Sequence, residues 1–151
     1  MIVLDTTILV YAVGAAHLLR EPCRDIVRGV AAGNVQATTT PEVIQEFAHV
    51  RARRRSRADA ARLASEFAWL LSPLVTVDRD DLLAGLQLLE ATDSLGAFDA
   101  VLAATAMARE ARALVSADLD FSTLEGLTHV VPGTPESATL LGEPPLPNEH
   151  K

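Results

Sequence analysis

Cysteine occurs once in the 151 residues, as Cys23, which excludes an internal disulfide and any zinc site built from several thiolates. Lysine also occurs once, as Lys151, so chemistry that depends on an internal lysine is excluded as well. The four histidines, His17, His49, His129 and His150, show no metal-ligand spacing. Long apolar runs are missing too. The composition is 49% hydrophobic, yet Asp, Glu or Arg breaks every run well before the roughly 18 residues a spanning helix needs. No basic segment precedes Ile2, and Asp5 interrupts what would be the apolar core of a secretory signal, so the expected location is the cytoplasm, with no membrane partner. Positive charge is scarce: 13 Lys and Arg against 20 Asp and Glu give a net charge of −7. That balance argues against a nucleic-acid ligand unless the positive charge is concentrated. It is concentrated, because Arg51, Arg53, Arg54, Arg55 and Arg57 fall within seven residues.

What is present reads as one α/β domain. A chain of this length buries roughly 70% of the surface its unfolded form exposes, enough for a single core. Ile2 to Leu4 is a short apolar run ended by a polar turn, the pattern of a parallel strand covered on both faces. Thr6 to Val13 and residues 20–32 read as helices, and Val35 to Thr38 as a second strand. Thr39 or Thr40 caps the next helix, with Pro41 in its first turn and Glu42 closing a capping box. Ser56 and Asp59 open another, whose apolar stripe is Ala60, Leu63, Phe67, Leu70 and Leu71. Trp69 and Phe67 are assigned to the core, and Cys23 to a half-buried helix face. Leu74 to Val77 reads as a third strand, Asp78 and Asp81 cap a helix, and a strongly apolar helix runs from about Phe98 to Ala111. Ala113 to Ser116 and His129 to Val131 complete the strands. Strands alternating with helices predict a central parallel sheet of four to five strands flanked by helices over residues 1–131. The remainder, 132–151, is rich in Pro, Gly and Glu and is expected to be a poorly ordered tail.

The carboxylates carry the chemistry. Asp5 stands inside an apolar segment, where an ionised group is costly unless it is paired or holds a metal. In open α/β sheets the ligand site lies beyond the carboxyl ends of the strands. Asp5 follows the first strand and Asp118 follows the fourth, while Glu46 and Asp99 lie near helix starts that return to the same edge. Two carboxylates 4 Å apart repel by roughly 4 kcal/mol at an effective dielectric near 20, so four together need protons or cations. An all-oxygen donor set suits Mg²⁺ or Mn²⁺, and such ions can activate water for phosphodiester cleavage.

Four segments, DTTIL at Asp5 to Leu9, PEVIQEF at Pro41 to Phe47, FDAVLAATA at Phe98 to Ala106 and SADLDF at Ser116 to Phe121, resemble the PIN domain in order and spacing, in particular VapC-type toxins of bacterial toxin-antitoxin pairs. The resemblance implies a three-layer sandwich and a metal-dependent endoribonuclease. It also implies that Asp5, Glu46, Asp99 and Asp118 form its acidic quartet and that Asp5, Asp99 and Asp118 hold Mg²⁺ or Mn²⁺. Thr6, Thr7 and Ser116 would be supporting hydroxyls, with Asp120 a further contributor. The family often has Asn where Thr7 stands and Thr where Ser116 stands. A cognate antitoxin over the acidic groove and a homodimer are also implied.

Each assignment has a plainer counterpart. Glu42 is explained by capping, whereas Glu46 is not. Arg51, Arg53, Arg54 and Arg55 are candidates for the RNA backbone or for a solvated face. A haloacid-dehalogenase-like phosphatase also opens with an apolar strand and Asp, but needs a second Asp where Thr7 stands and a later lysine. The remaining alternative is a non-catalytic module that binds RNA or protein.

Overall fold

A computed structural model describes residues 1–142. The chain runs β1 (Ile2–Leu4), α1 (Thr6–Val13), α2 (Arg20–Ala31), β2 (Ala37–Thr38), α3 (Pro41–Arg54), α4 (Arg57–Leu70), α5 (Arg79–Ala91), α6 (Ala97–Ala108), β3 (Ala113–Val115), a 3-10 turn (Leu119–Thr123), β4 (His129–Val130) and α7 (Pro135–Gly142). The sheet order is β2-β1-β3-β4, with every pairing parallel. Helices cover the sheet, so β1 and β3 are buried along their whole length and read as continuous apolar runs.

Local chemistry sets the element boundaries. The Thr40 hydroxyl accepts from the Val43 N–H at 3.3 Å, and Pro41 occupies the first turn of α3, where its missing N–H has no helical partner to lose. Asp78 and Asp81 close a reciprocal capping box at the start of α5. Asp81 is also gripped by both terminal nitrogens of Arg109, at 2.8 and 2.7 Å, and that guanidinium holds its carboxyl below the usual carboxylate range. Gly85 permits the close approach of α5 to α6: a Cβ there would lie 2.5 Å from the Val101 Cα. Phe47 and Phe67 meet edge to face across α3 and α4, at a centroid separation of 5.1 Å.

Several expectations change. Leu74 to Val77 does not form a strand, and the sheet has four strands among the described residues. That segment makes one ladder-like bond, Val75 N–H to the Thr39 carbonyl, and Leu74 packs on the core, so apolarity there reflects burial rather than sheet pairing. Trp69 is 83% exposed, because Ala60, Ala64, Phe67 and Leu71 define the inward stripe of this helix region and Trp69 points off it. Cys23 is fully buried, and burial pushes its thiol up to about 12, which leaves it unreactive. The stretch expected to be a poorly ordered tail contains α7, with Ser137 and Leu140 buried and contacts to α2. The Thr134 hydroxyl accepts from the Ser137 N–H at the start of that helix. The rest of the stretch, 143–151, lies outside the described residues. No helix among the described residues is long and apolar enough to cross a membrane.

Candidate active site

Asp5 closes β1 and caps α1, and it is 3% exposed. Its backbone N–H continues the ladder to the Val115 carbonyl at 3.0 Å, which fixes the residue against β3. All three hydrogen bonds to its side chain fall on one oxygen. Oδ2 accepts from the Ser116 hydroxyl at 2.7 Å, the Thr7 hydroxyl at 2.9 Å and the Thr7 N–H at 3.4 Å. Each hydroxyl has a single hydrogen and both are aimed at Oδ2, so the 3.3 Å approach of Thr7 Oγ1 to Ser116 Oγ is packing. The hydroxyls in turn accept from the backbone, Ser116 from the Asp118 N–H and Thr7 from the Ala117 N–H, both at 3.0 Å. Oδ1 of Asp5 accepts no hydrogen bond among the described residues and is not sealed from solvent.

The same division recurs in two other carboxylates. Glu46, on α3, accepts the Thr6 hydroxyl on Oε2 at 2.7 Å, which leaves Oε1 open. Asp118 caps the 3-10 turn by accepting the Asp120 N–H on Oδ1 at 2.9 Å, which leaves Oδ2 open. Protein donors therefore orient one oxygen of each group while the other remains available, the arrangement expected of outer partners around ligands of a cation.

Asp5, Glu46, Asp99 and Asp118 line one cavity of about 350 Å³ together with Thr6, Thr7, Val10, Tyr11, Val50 and Arg54. Asp99 sits in the first turn of α6, and burial pushes its carboxyl up to about 7, aided by the charges of Asp5, Asp118, Glu46 and Asp120. Asp120 adds to that field without lining the cavity, and Glu42 lines a different one. Among the described residues no three His, Cys, Asp or Glu side chains already stand close enough to hold one ion. The fit to a hard divalent cation rests on the all-oxygen donors, the open oxygen on each oriented carboxylate, and the burial and neighbouring charges that raise the Asp99 carboxyl.

The arginine cluster separates into different roles. Arg51 donates to Asp59 Oδ2 at 2.6 Å and to the Val13 carbonyl at 3.0 Å, ties that join α3, α4 and the end of α1. Arg54 lines the acidic cavity. Arg54, Arg55 and Arg51 line an adjoining cavity of about 160 Å³, which shares Val10, Val50 and Arg54 with the acidic one. Arg53 lines neither.

Sequence reasoning passed over two residues here. Tyr11, four residues beyond Thr7 and so on the same face of α1, forms part of the cavity wall. His129, set aside for want of ligand spacing, lies with Nε2 3.0 Å from the Ser116 carbonyl oxygen and Nδ1 2.7 Å from the Ser122 hydroxyl, steadying the strand end that presents Ser116.

A model of the PIN domain matches residues 2–127, and the chain belongs to that family. It is 51% identical over 147 residues to Ribonuclease VapC7 of Mycobacterium tuberculosis, an alignment that covers 95% of this chain and 99% of the relative. The crystal structure of VapBC2 from Rickettsia felis, bound to a DNA fragment from their promoter, superposes with a TM-score of 0.66 at 18% identity. That match covers 87% of this chain and 98% of the other, and at such identity it is a likeness of fold.

Proposed function

We propose that this chain is a divalent-metal-dependent endoribonuclease of the VapC kind, the toxin of a toxin-antitoxin pair. The observation that carries the reading is the crowding around Asp99: four carboxylates share one cavity, and their mutual repulsion is relieved only by a proton or a cation. The 51% identity to a protein named as a ribonuclease, along nearly its whole length, supports RNA as the substrate class.

Asp5, Asp99 and Asp118 would hold the ion, Mg²⁺ or Mn²⁺, with Glu46 completing the acidic quartet. When bound, such an ion supplies an activated water and charge stabilisation for the leaving oxygen. Ser116 and Thr7 keep the Asp5 carboxylate from rotating, since both hydroxyls hold the same oxygen. Thr6 does the same for Glu46. Thr7 thus does the orienting work with one hydroxyl and one backbone N–H. Arg54, in the wall of the acidic cavity, would be the member of the arginine cluster that meets RNA phosphates, whereas Arg51 is committed to Asp59. A cognate antitoxin and a second copy of the chain are the expected protein partners. The exposed side chains of Leu82, Leu83, Leu86 and Phe98 supply apolar surface of the kind such contacts cover.

Incubation of the purified protein with total RNA under Mg²⁺, Mn²⁺ or EDTA, followed by mapping of new 5′ ends, tests the reading. Discrete cuts that need metal and vanish in Asp99→Asn, with an unchanged circular dichroism spectrum, are expected. Cleavage retained by that variant would refute the assignment.

A further inference from the structure

Aromatic side chains are rare in this protein, 4% of residues, yet the chain's lone tyrosine stands in the wall of the acidic cavity. Beyond the end of α1, the exposed ring of His17 lies on Tyr11, with centroids 4.6 Å apart and planes at 28°. His17 is also pinned. Its Nδ1 accepts from the Leu19 N–H at 3.1 Å, which fixes the orientation of the ring. Core packing accounts for the half-buried Tyr11. It does not account for a solvent-facing imidazole held parallel to it by a backbone bond.

Resting on the ribonuclease reading above, we infer that the exposed ring of His17, backed by Tyr11 in the cavity wall, is a platform on which one base next to the scissile phosphate stacks. Bases in a duplex have both faces covered by their neighbours, whereas proteins that read single-stranded RNA lay splayed bases on aromatic rings. The cavity offers the other contacts one nucleotide needs: the open carboxylate oxygens on one side and the guanidinium of Arg54 for the backbone. Because every base has a π face, the pair confers a demand for a base at that place more than for a particular one.

The test uses the full chain with Mn²⁺ and a single-stranded RNA oligonucleotide spanning a mapped cut, together with two copies in which the nucleotide on the 5′ or the 3′ side of the scissile phosphate is abasic. Wild-type protein is expected to lose roughly 5- to 150-fold in kcat/KM on one abasic copy, the span that corresponds to one base–aromatic stack. In His17→Ala and Tyr11→Leu the ratio of intact to abasic rates should collapse toward one, while Tyr11→Phe, which keeps the ring, should preserve it. A thermal melt of His17→Ala guards against misfolding. The platform is overturned if wild type cuts all three oligonucleotides alike, or if His17→Ala keeps the wild-type ratio, in which case the rings serve packing or a protein contact. Failure of wild type to cut any of the three with metal present would instead bring down the ribonuclease reading and this inference with it.

Discussion

Proton release on metal binding gives the most direct test of the acidic cavity. Burial and the neighbouring carboxylates push Asp99 up to about 7, so near neutrality an incoming cation must displace a proton held by the cluster. A group titrating near 7 is about 0.9 protonated at pH 6 and about 0.1 at pH 8. Binding of Mn²⁺ should therefore release close to one proton per ion at pH 6 and almost none at pH 8. The apparent affinity should rise roughly tenfold per pH unit below 7 and then level off. Titration calorimetry in buffers of different ionisation enthalpy measures the proton count directly, without any RNA present. Asp99→Asn should abolish most of the release and weaken binding. The linkage also has a sign for the metal-free protein: a carboxyl raised from its ordinary value favours the protonated fold, so stability falls as pH climbs from about 4 through 7. A bound cation removes that loss, and the stabilisation by Mn²⁺ in a thermal melt should be larger at pH 8 than at pH 5. Affinity that is flat from pH 5 to 8, with no proton released at pH 6, would refute this account of the cavity.

Two further outcomes separate roles that the sequence presents as equivalent. Arg54→Ser should flatten the salt dependence of RNA binding by about 0.7 in log–log slope, the contribution of one phosphate contact on a single strand, whereas Arg51→Ser should leave that slope alone and lower the melting temperature. Filter binding between 50 and 300 mM salt reads the first, and a melt reads the second; equal slopes for Arg54→Ser and wild type would remove Arg54 from the interface. Gly85→Ala should cost about 1 to 3 kcal/mol by wedging a methyl group into the Val101 backbone between α5 and α6, and chemical denaturation would show no loss if the helices can slide apart freely.

Why some of this was legible in the sequence, and some not, follows from the range of the forces involved. Capping is local, so Thr40, Ser56 and the Asp78–Asp81 pair announce their helices at a distance of three residues. The carboxylates could be brought to one edge from topology alone, because every strand is parallel and each acid follows a strand or lies within the first two turns of a helix near it. Long-range pairing is not written in any short window. Leu74 to Val77 has the composition of a strand, yet only its neighbours decide that it meets Thr39 once and then leaves the sheet. Likewise Arg51 and Arg54 are three residues apart and chemically identical. Their division of labour depends on Asp59 and the Val13 carbonyl, which belong to other elements. Which carboxylate oxygen stays open is equally beyond the sequence, since it is set by hydroxyls reaching across from separate segments, in one case 111 positions away.

That separation bears on how the protein is made. Domains tend to fold as units during synthesis, from the N-terminus onward. Asp5 and Glu46 leave the ribosome early, but β1 lacks its inner neighbour β3, and Asp5 lacks Ser116, until more than a hundred further residues have been added. A chain released prematurely after α6 would carry three of the four acids and no closed cavity around them. Incomplete products of translation are therefore expected to be chemically silent, and the order of synthesis itself withholds the site until β3 and Asp118 are in place.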